Sequence, residues 1–127
     1  MKNRIFTGMA SAMITPMNAQ GVVLKFNAAL RYATDGFSAA VFRKICRKAG
    51  QSVQTYCNRA DIPGGSTLGH ISLSHVSVPT VDIGLAQLAM HSCFETASAA
   101  DAVSLEKAMA AYYGTQLSRS AEGITIR

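Results

Sequence analysis

The amino-acid sequence predicts an α/β domain. Short apolar runs rich in β-branched residues alternate with segments whose apolar residues recur every three or four positions, a pattern typical of strands alternating with amphipathic helices. A length of 127 residues with 49% hydrophobic content suits one domain with a modest core. The sequence contains no internal repeat and no low-complexity segment.

The first predicted strand and helix lie in the N-terminal half. Residues 22–26, VVLKF, are apolar and β-branched enough for a strand, although Lys25 interrupts the run. Thr34 is a good N-cap with Asp35 in the first turn, so a helix is predicted from there to Gly50. Residues at helical spacing give this helix one broad apolar face, which consists of Phe37, Val41, Phe42, Ile45, Cys46 and Ala49.

The middle of the chain predicts two more strands. Residues 52–57, SVQTYC, form one, and Val78 to Ile83 form the other. The glycine- and proline-rich segment 58–69 between them predicts a loop that leads into a short helix. Three strands give a thin sheet with flanking helices and exposed edges.

The last predicted element is a helix near the C-terminus. Ser98, with Asp101 three positions later, forms a capping box that opens this helix, and Gly114 ends it. Residues 115–127 show little periodicity, so no element is predicted there.

The charge distribution predicts a solvated surface rather than a nucleic-acid site. Lys and Arg outnumber Asp and Glu by 12 to 7, which gives a net charge of +5. A cluster near the end of the first helix lies where the helix dipole favours cations. No nucleic-acid partner is therefore expected. The cluster consists of Arg43, Lys44, Arg47 and Lys48.

Cysteine usage and hydropathy predict a cytoplasmic protein without a membrane anchor. The three cysteines, Cys46, Cys57 and Cys93, form no CxxC pair, and their odd number argues against a disulfide framework. No stretch approaches the roughly 18 apolar residues that a membrane span requires. Polar residues and Pro16 interrupt the N-terminal apolar run, which argues against a signal peptide.

A single histidine is the main candidate metal ligand. His91 lies in a loop after a predicted buried strand, within the run DIGLAQLAMHSCFE, but one histidine cannot hold a metal alone. His70 and His75 are five positions apart, a spacing that aligns two ligands poorly on a helix. These two are interpreted as surface or packing residues.

Two further features each leave two interpretations open. The loop Asp61 to Gly69, DIPGGSTLG, can cradle an anion with its backbone N–H groups, or it is a turn with Ser66 or Thr67 as N-cap. Lys25 is either a functional cation or a residue at a strand edge whose stem covers apolar surface.

Four blocks in order resemble the aspartyl-aminopeptidase family of dinuclear zinc exopeptidases. They are Gly21 to Phe42, Asn58 to Gly69, TVDIG at residues 80–84, and QLAMHS at residues 87–92 followed by Glu95. The resemblance covers roughly residues 20–114 and implies the C-terminal part of a zinc-peptidase catalytic domain. The implied fold is a partial three-layer α/β arrangement with flanking helices.

The resemblance also implies roles for individual residues. His91 matches the last zinc ligand of the family, and Lys25 matches its substrate-contacting lysine. Gly65, Ser66 and Thr67 look like a wall of the substrate pocket. In the implied mechanism two zinc ions activate a bridging water, a Glu acts as general base, and hydroxide attacks the N-terminal peptide bond.

The same comparison implies a peptide substrate, zinc as cofactor and a homo-oligomeric assembly. Substrates with an acidic N-terminal residue would suit a lysine in the pocket. The family's other zinc ligands and its Glu base have no counterpart here, so the isolated chain is expected to be inactive or to need a complementing chain. His70 and Ala86 stand where the family usually has Pro.

Residues 1–20 resemble a different family. They are similar to the opening strand of dihydrodipicolinate synthases, which are barrel aldolases, but they lack that family's Schiff-base lysine. The domains predicted are therefore a leader, 1–20, and a truncated aminopeptidase-like domain, 21–127. Alternative interpretations of the chain are a non-catalytic binding or interaction module and a remnant gene product.

Overall fold

A four-stranded sheet forms the centre of the protein. The computed structural model describes residues 12–14, 18–59, 61, 65–120 and 123–127. The sheet order is β1-β3-β2-β4, with β2 and β3 parallel and the two outer strands antiparallel to their neighbours. The strands are β1 (Ala12–Ile14), β2 (Val22–Phe26), β3 (Val53–Asn58) and β4 (Ile83–Gly84).

Strands β2 and β3 are joined by the first helix, α1 (Gly36–Lys48). Two parallel neighbours need such a crossover, because a tight turn cannot join them. The register runs from Val22 opposite Val53 to Phe26 opposite Cys57. The strands predicted at 22–26 and 52–57 and the helix between them are confirmed, with β3 displaced by one residue.

The start of α1 differs from the prediction by one residue. Asp35, not Thr34, is the N-cap: its carboxylate accepts the Ser38 N–H at 2.6 Å, and its own N–H donates to Ser38 Oγ at 3.1 Å. The Thr34 hydroxyl is engaged elsewhere, because it accepts the backbone N–H of Asp82 at 2.8 Å. A partner 48 residues away thus competes with the local cap.

The end of α1 follows the sequence. Gly50 has φ of +67°, and its N–H donates to Arg47 O at 3.1 Å. The N–H of Gln51 reaches Cys46 O at 2.8 Å. These two bonds are the Schellman pattern, in which a glycine takes the left-handed conformation after the last turn.

The core lies between one face of β2 and two helices. Val22 and Leu24 of β2 are fully buried against α1, whose Phe42 and Cys46 are also buried. The last helix, α3 (Ala99–Tyr113), closes the cluster with the fully buried Ala108. The predicted α/β class with flanking helices is confirmed.

The predicted capping box at α3 is wrong. Ser98 is the N-cap residue, but its side chain makes no cap hydrogen bond. The carboxylate of Asp101 instead accepts the backbone N–H groups of Ala19 and Gly21, each at 2.7 Å. Two backbone donors far away in sequence outcompete the local cap.

The strand predicted at Val78 to Ile83 is also mostly wrong. Only Ile83–Gly84 form β4. Pro79 has no N–H for a ladder, and Val78 is 52% exposed. Pairing with β2 begins at Asp82, whose carbonyl accepts the Lys25 N–H at 2.9 Å.

Smaller elements complete the described chain. The short helix α2 (Leu68–His75) confirms the helix predicted after the glycine-rich loop. Strands β5 (Gln87–Leu88) and β6 (Thr96–Ala97) pair around the His91 turn. The hairpin of β7 (Leu117–Ser120) and β8 (Gly123–Ile126) was not predicted, because four-residue strands carry a weak periodic signal.

Most of the basic cluster at the end of α1 is exposed. Lys44, Arg47 and Lys48 are exposed, but Arg43 is half-buried and donates to Thr55 Oγ1 at 2.5 Å. The basic cluster is thus only partly a solvated face. No helix among the described residues is long and apolar enough to cross a bilayer.

Candidate functional site

Lys25 lies in an inner strand of the sheet. Strand β2 is flanked by β3 and β4, so the interpretation of Lys25 as an edge residue is wrong. Its Cα partner on β3 is Tyr56, and its ammonium lies 5.8 Å from the centroid of the Tyr32 ring. That distance permits a cation–π contact.

Gly84 makes room for the Lys25 side chain. A Cβ atom at position 84 would lie 2.8 Å from Lys25 Cε and 2.9 Å from Nζ. The end of the lysine side chain therefore passes directly over β4, and a larger residue at position 84 would displace it. The described residues place no carboxylate in a salt bridge with Lys25.

Two tyrosines lie beside this lysine. The rings of Tyr32 and Tyr56 are 6.4 Å apart between centroids. Burial raises the pKa of Tyr32 above its usual value, and the neighbouring Tyr56 and Asp82 add to the rise. Burial also raises the pKa of Tyr56. Both phenols are therefore neutral hydrogen-bond donors at physiological pH.

The predicted pocket wall, Gly65, Ser66 and Thr67, precedes α2. Gly65 and Ser66 are exposed, and the Thr67 N–H donates to Arg31 O at 3.4 Å. Thr67 is the N-cap residue of α2, as one interpretation predicted, but its side chain makes no cap bond. Its Oγ1 is buried and has no hydrogen-bond partner within the described part of the chain.

The other histidines behave as predicted for packing and surface residues. Nδ1 of His70 lies 2.7 Å from Thr67 O in the first turn of α2, which fixes the ring against its own helix. His75 is exposed at the last residue of α2. Asp61, at the start of the glycine-rich loop, pairs with Arg59 at 2.5 Å on the surface. Residues 62–64 of that loop lie outside the described residues.

His91 lies on the turn between β5 and β6. It is exposed, it has φ of +70°, and its backbone N–H donates to Glu95 Oε1. Among residues 12–14, 18–59, 61, 65–120 and 123–127, no three His, Cys, Asp or Glu side chains lie close enough together to hold a metal. The described residues do not therefore form a zinc site by themselves.

The structure brings together some of the predicted site residues. Lys25 and Thr67 both adjoin the loop that links β2 to α1, through Tyr32 and Arg31 respectively. No described hydrogen bond or ring contact joins His91 to either of them. The roles of Lys25, His91 and residues 65–67 in binding substrate or metal remain predictions.

Sequence reasoning gave no role to Tyr32, Tyr56 or Asp82. Tyr56 had a detectable signal, because parallel pairing of β2 with β3 in the observed register puts it beside Lys25. Asp82 lies in the TVDIG block, but it comes next to Lys25 only through the pairing of β4 with β2. Tyr32 had no signal, because the conformation of the β2–α1 loop decides where it lies.

Comparisons with known proteins identify the family. The profile described as Aminopeptidase I zinc metalloprotease (M18) matches residues 6–113. A probable M18 family aminopeptidase 2 of Mycobacterium tuberculosis is 46% identical over 100 residues, which are 79% of this chain and 23% of that protein. The protein of the same description from Clostridium acetobutylicum is 39% identical over 104 residues, 82% of this chain and 24% of that protein.

Solved structures agree with the sequence matches. The cryo-EM structure of the Ape4 and Nbr1 complex superposes with a TM-score of 0.77 at 30% identity, over 80% of this chain and 19% of that chain. The crystal structure of prApe1 gives a TM-score of 0.76 at 26% identity, over 80% and 21%. The chain spans about a quarter of the length of the relatives that it matches. Because the family profile covers most of its residues, the chain belongs to the M18 family of aminopeptidase I zinc metalloproteases.

Proposed function

We propose that this chain supplies part of the active site of a zinc-dependent aminopeptidase that removes N-terminal residues from peptides. The observation that carries the proposal is the family match over residues 6–113, which includes Lys25, the loop 65–67 and His91. In this proposal the remaining zinc ligands and the general base come from polypeptide that this chain does not provide. The chain alone is then inactive.

Lys25 is proposed to bind an acidic side chain at the N-terminus of the substrate. Its ammonium is held above the Tyr32 ring and over Gly84, and no described carboxylate neutralises it. A cation that has no carboxylate partner among the described residues favours an anionic ligand over a neutral one. Residues 65–67, which contact the β2–α1 loop through the bond from Thr67 N–H to Arg31 O, form the proposed pocket wall.

His91 is proposed to be a zinc ligand contributed to a shared site. Its imidazole is exposed, and the bond from its backbone N–H to Glu95 fixes the turn that carries it. A residue on such a turn can reach ligands from another segment without moving the core. The described residues contain no group of three His, Cys, Asp or Glu side chains that could hold a metal, so the proposed site includes another polypeptide segment.

The proposed setting is a cytoplasmic homo-oligomer or a complex with a complementing chain. All three cysteines are free, which suits a reducing compartment. The Ape4 structure is that of a complex with Nbr1, so assembly with another protein occurs in a relative. The division of the chain into a leader, 1–20, and a domain, 21–127, also remains a proposal. The family match begins at residue 6, and β1, which lies within the segment 1–20, pairs with β3.

Complementation tests the peptidase proposal. We would coexpress this chain with the part of the Mycobacterium tuberculosis relative that precedes the matched segment, and assay hydrolysis of aspartyl and leucyl p-nitroanilides. Zinc-dependent turnover that His91→Ala abolishes is expected. Lys25→Met should raise KM for the aspartyl substrate selectively, whereas the exposed control Lys44→Met should not. Turnover that is unaffected by His91→Ala would contradict the proposed ligand.

A second candidate function, a non-catalytic interaction module, is favoured by one observation. A largely apolar cavity of about 640 Å³ opens between α1, α3 and the C-terminal hairpin. Phe37 and Leu117 on its wall are 47% and 46% exposed. A partner that copurifies stoichiometrically would support this function, and a monodisperse monomer without ligand would argue against it.

A further inference from the structure

Asp82 bonds two other segments of the chain, the β2–α1 loop and strand β2. Its carboxylate Oδ2 accepts the Ala33 N–H at 2.6 Å. Its backbone N–H donates to Thr34 Oγ1 at 2.8 Å, and its carbonyl accepts the Lys25 N–H at 2.9 Å. The residue is only 9% exposed, so one buried residue connects the β2–α1 loop to the strand that carries Lys25.

These bonds hold the backbone next to Tyr32. Tyr32 directly precedes Ala33, whose N–H the Asp82 carboxylate holds. The ring then lies 5.8 Å from the Lys25 ammonium, while the Lys25 backbone is held by the same Asp82. Asp82 thus bonds the backbone of one partner of the cation–π contact and the backbone next to the other. A hydrogen bond to a charged acceptor is stronger than a neutral one, which suits this role.

Helix α2 braces the carboxylate from the other side. A Cβ atom at Gly69 would lie 2.9 Å from Asp82 Oδ2 and 3.0 Å from Ala33 Cβ. The first turn of α2 therefore packs against the Asp82–Ala33 bond itself. This contact also links the loop 65–67 to the same group of residues.

We propose that Asp82 is the positioning residue for Lys25, holding the Tyr32 ring against the lysine ammonium through the Asp82–Ala33 bond and the Gly69 contact. The importance of this geometry for substrate rests on the proposed function, in which Lys25 binds substrate. The geometry itself can be measured without zinc or substrate. A failure of the positioning test therefore leaves the peptidase proposal intact, and a failure of complementation leaves the positioning test intact.

Tyrosine fluorescence measures the geometry. The protein has no Trp and four Tyr, so replacement of Tyr56, Tyr112 and Tyr113 by Phe leaves Tyr32 as the only emitter. Acrylamide quenching then reports exposure of Tyr32, and Lys25→Met reports its contact with the ammonium. In the protein with these three replacements, we expect Lys25→Met to change the Tyr32 emission. We expect acrylamide to quench that emission only weakly.

Asp82→Ala should raise the quenching constant towards that of N-acetyltyrosinamide and abolish the effect of Lys25→Met. Asp82→Asn keeps an oxygen that can accept the Ala33 N–H, so it should preserve most of both signals. Asp101→Ala, which removes another buried carboxylate and should itself lower stability, is the control for general destabilisation. Asp101 bonds Ala19 and Gly21 and not Ala33, so Asp101→Ala protein that is still folded should leave both signals unchanged. Equal effects of Asp82→Ala and Asp101→Ala in folded protein would overturn the proposal.

Gly69→Ala tests the same contact should Asp82→Ala fail to fold. The added methyl group pushes against the Asp82 carboxylate from α2, so quenching of Tyr32 should rise and the effect of Lys25→Met should fall. Gly36→Ala, whose Cβ meets nothing within 4 Å, is the matched control. Gly69→Ala results that equal those of Gly36→Ala would also overturn the proposal.

Discussion

The carboxylate of Asp101, in the first turn of α3, accepts the backbone N–H of Gly21 at 2.7 Å, just before β2 begins. Its other oxygen accepts the N–H of Ala19 at the same distance. Asp101 is 1% exposed. A side chain that local sequence marks as a helix cap therefore joins the last helix to the inner strand that carries Lys25.

Replacement of Asp101 should destabilise the protein strongly. Asp101→Ala leaves two N–H groups without their acceptor, and hydrogen bonds to a charged group contribute about 1.5–3 kcal/mol each. We expect a loss of roughly 3 kcal/mol in the free energy of unfolding from urea denaturation. Asp101→Asn retains one acceptor and should lose less. Equal stability of Asp101→Ala and wild type would contradict a stabilising role for the two bonds that Asp101 accepts.

Gly21 should tolerate no side chain. Its φ is +92°, and a Cβ atom there would lie 2.3 Å from Ser52 O. Gly21→Ala should therefore cost more than about 2 kcal/mol, through strain and displacement of the β3 start. The control Gly36→Ala, in open space at the exposed start of α1, should stay within about 0.5 kcal/mol of wild type. Thermal unfolding of the two variants distinguishes these outcomes.

The parts of the fold that were predictable depend on local patterns. The β2–α1–β3 unit follows from β-branched runs and from helical spacing that buries Phe42 and Cys46. The role of Asp101 at the start of α3 was not predictable, because its donors, the backbone N–H groups of Ala19 and Gly21, lie about 80 residues away in sequence. The strand predicted at 78–83 is too long, because Pro79 lies within the apolar run and has no N–H to donate to the ladder.

The candidate site was predictable only as a set of residue types. Resemblance selected Lys25, residues 65–67 and His91, and the structure relates the first two through the β2–α1 loop. The bond from the Ala33 N–H to the Asp82 carboxylate, next to Lys25, could not be predicted. It depends on tertiary packing and not on periodicity. At the turn that carries His91, by contrast, the contact is local: the His91 backbone N–H donates to Glu95, four residues later.

The cap of α1 should make stability depend on acidic pH. Hydrogen bonds from Ser38 lower the pKa of Asp35 below its usual value. A lowered folded-state pKa means that the stabilisation is complete above the unfolded pKa of about 3.9 and is lost as pH falls through the folded value. Asp35→Ala should cost about 1 kcal/mol at neutral pH. Asp35→Ser keeps a cap without a titrating group, so its stability relative to wild type should rise below about pH 4.

The cysteines should differ in reactivity. Burial raises the pKa of the Cys46 thiol, and Cys46 is fully buried, whereas Cys93 is exposed. Because the thiolate is the reactive form, Cys93 should react first with Ellman's reagent at pH 8 and Cys46 only after unfolding. Cys93→Ser should remove the fast phase. A fast phase that persists in this variant would contradict the described packing.

The most direct measurement is the zinc content of the purified chain together with its hydrolysis of aspartyl p-nitroanilide in the presence of zinc. Since no three potential ligands lie together in the described part of the chain, we expect neither stoichiometric zinc after dialysis nor turnover above a His91→Ala control. Stoichiometric zinc with turnover that His91→Ala abolishes would contradict the claim that another polypeptide segment must complete the site.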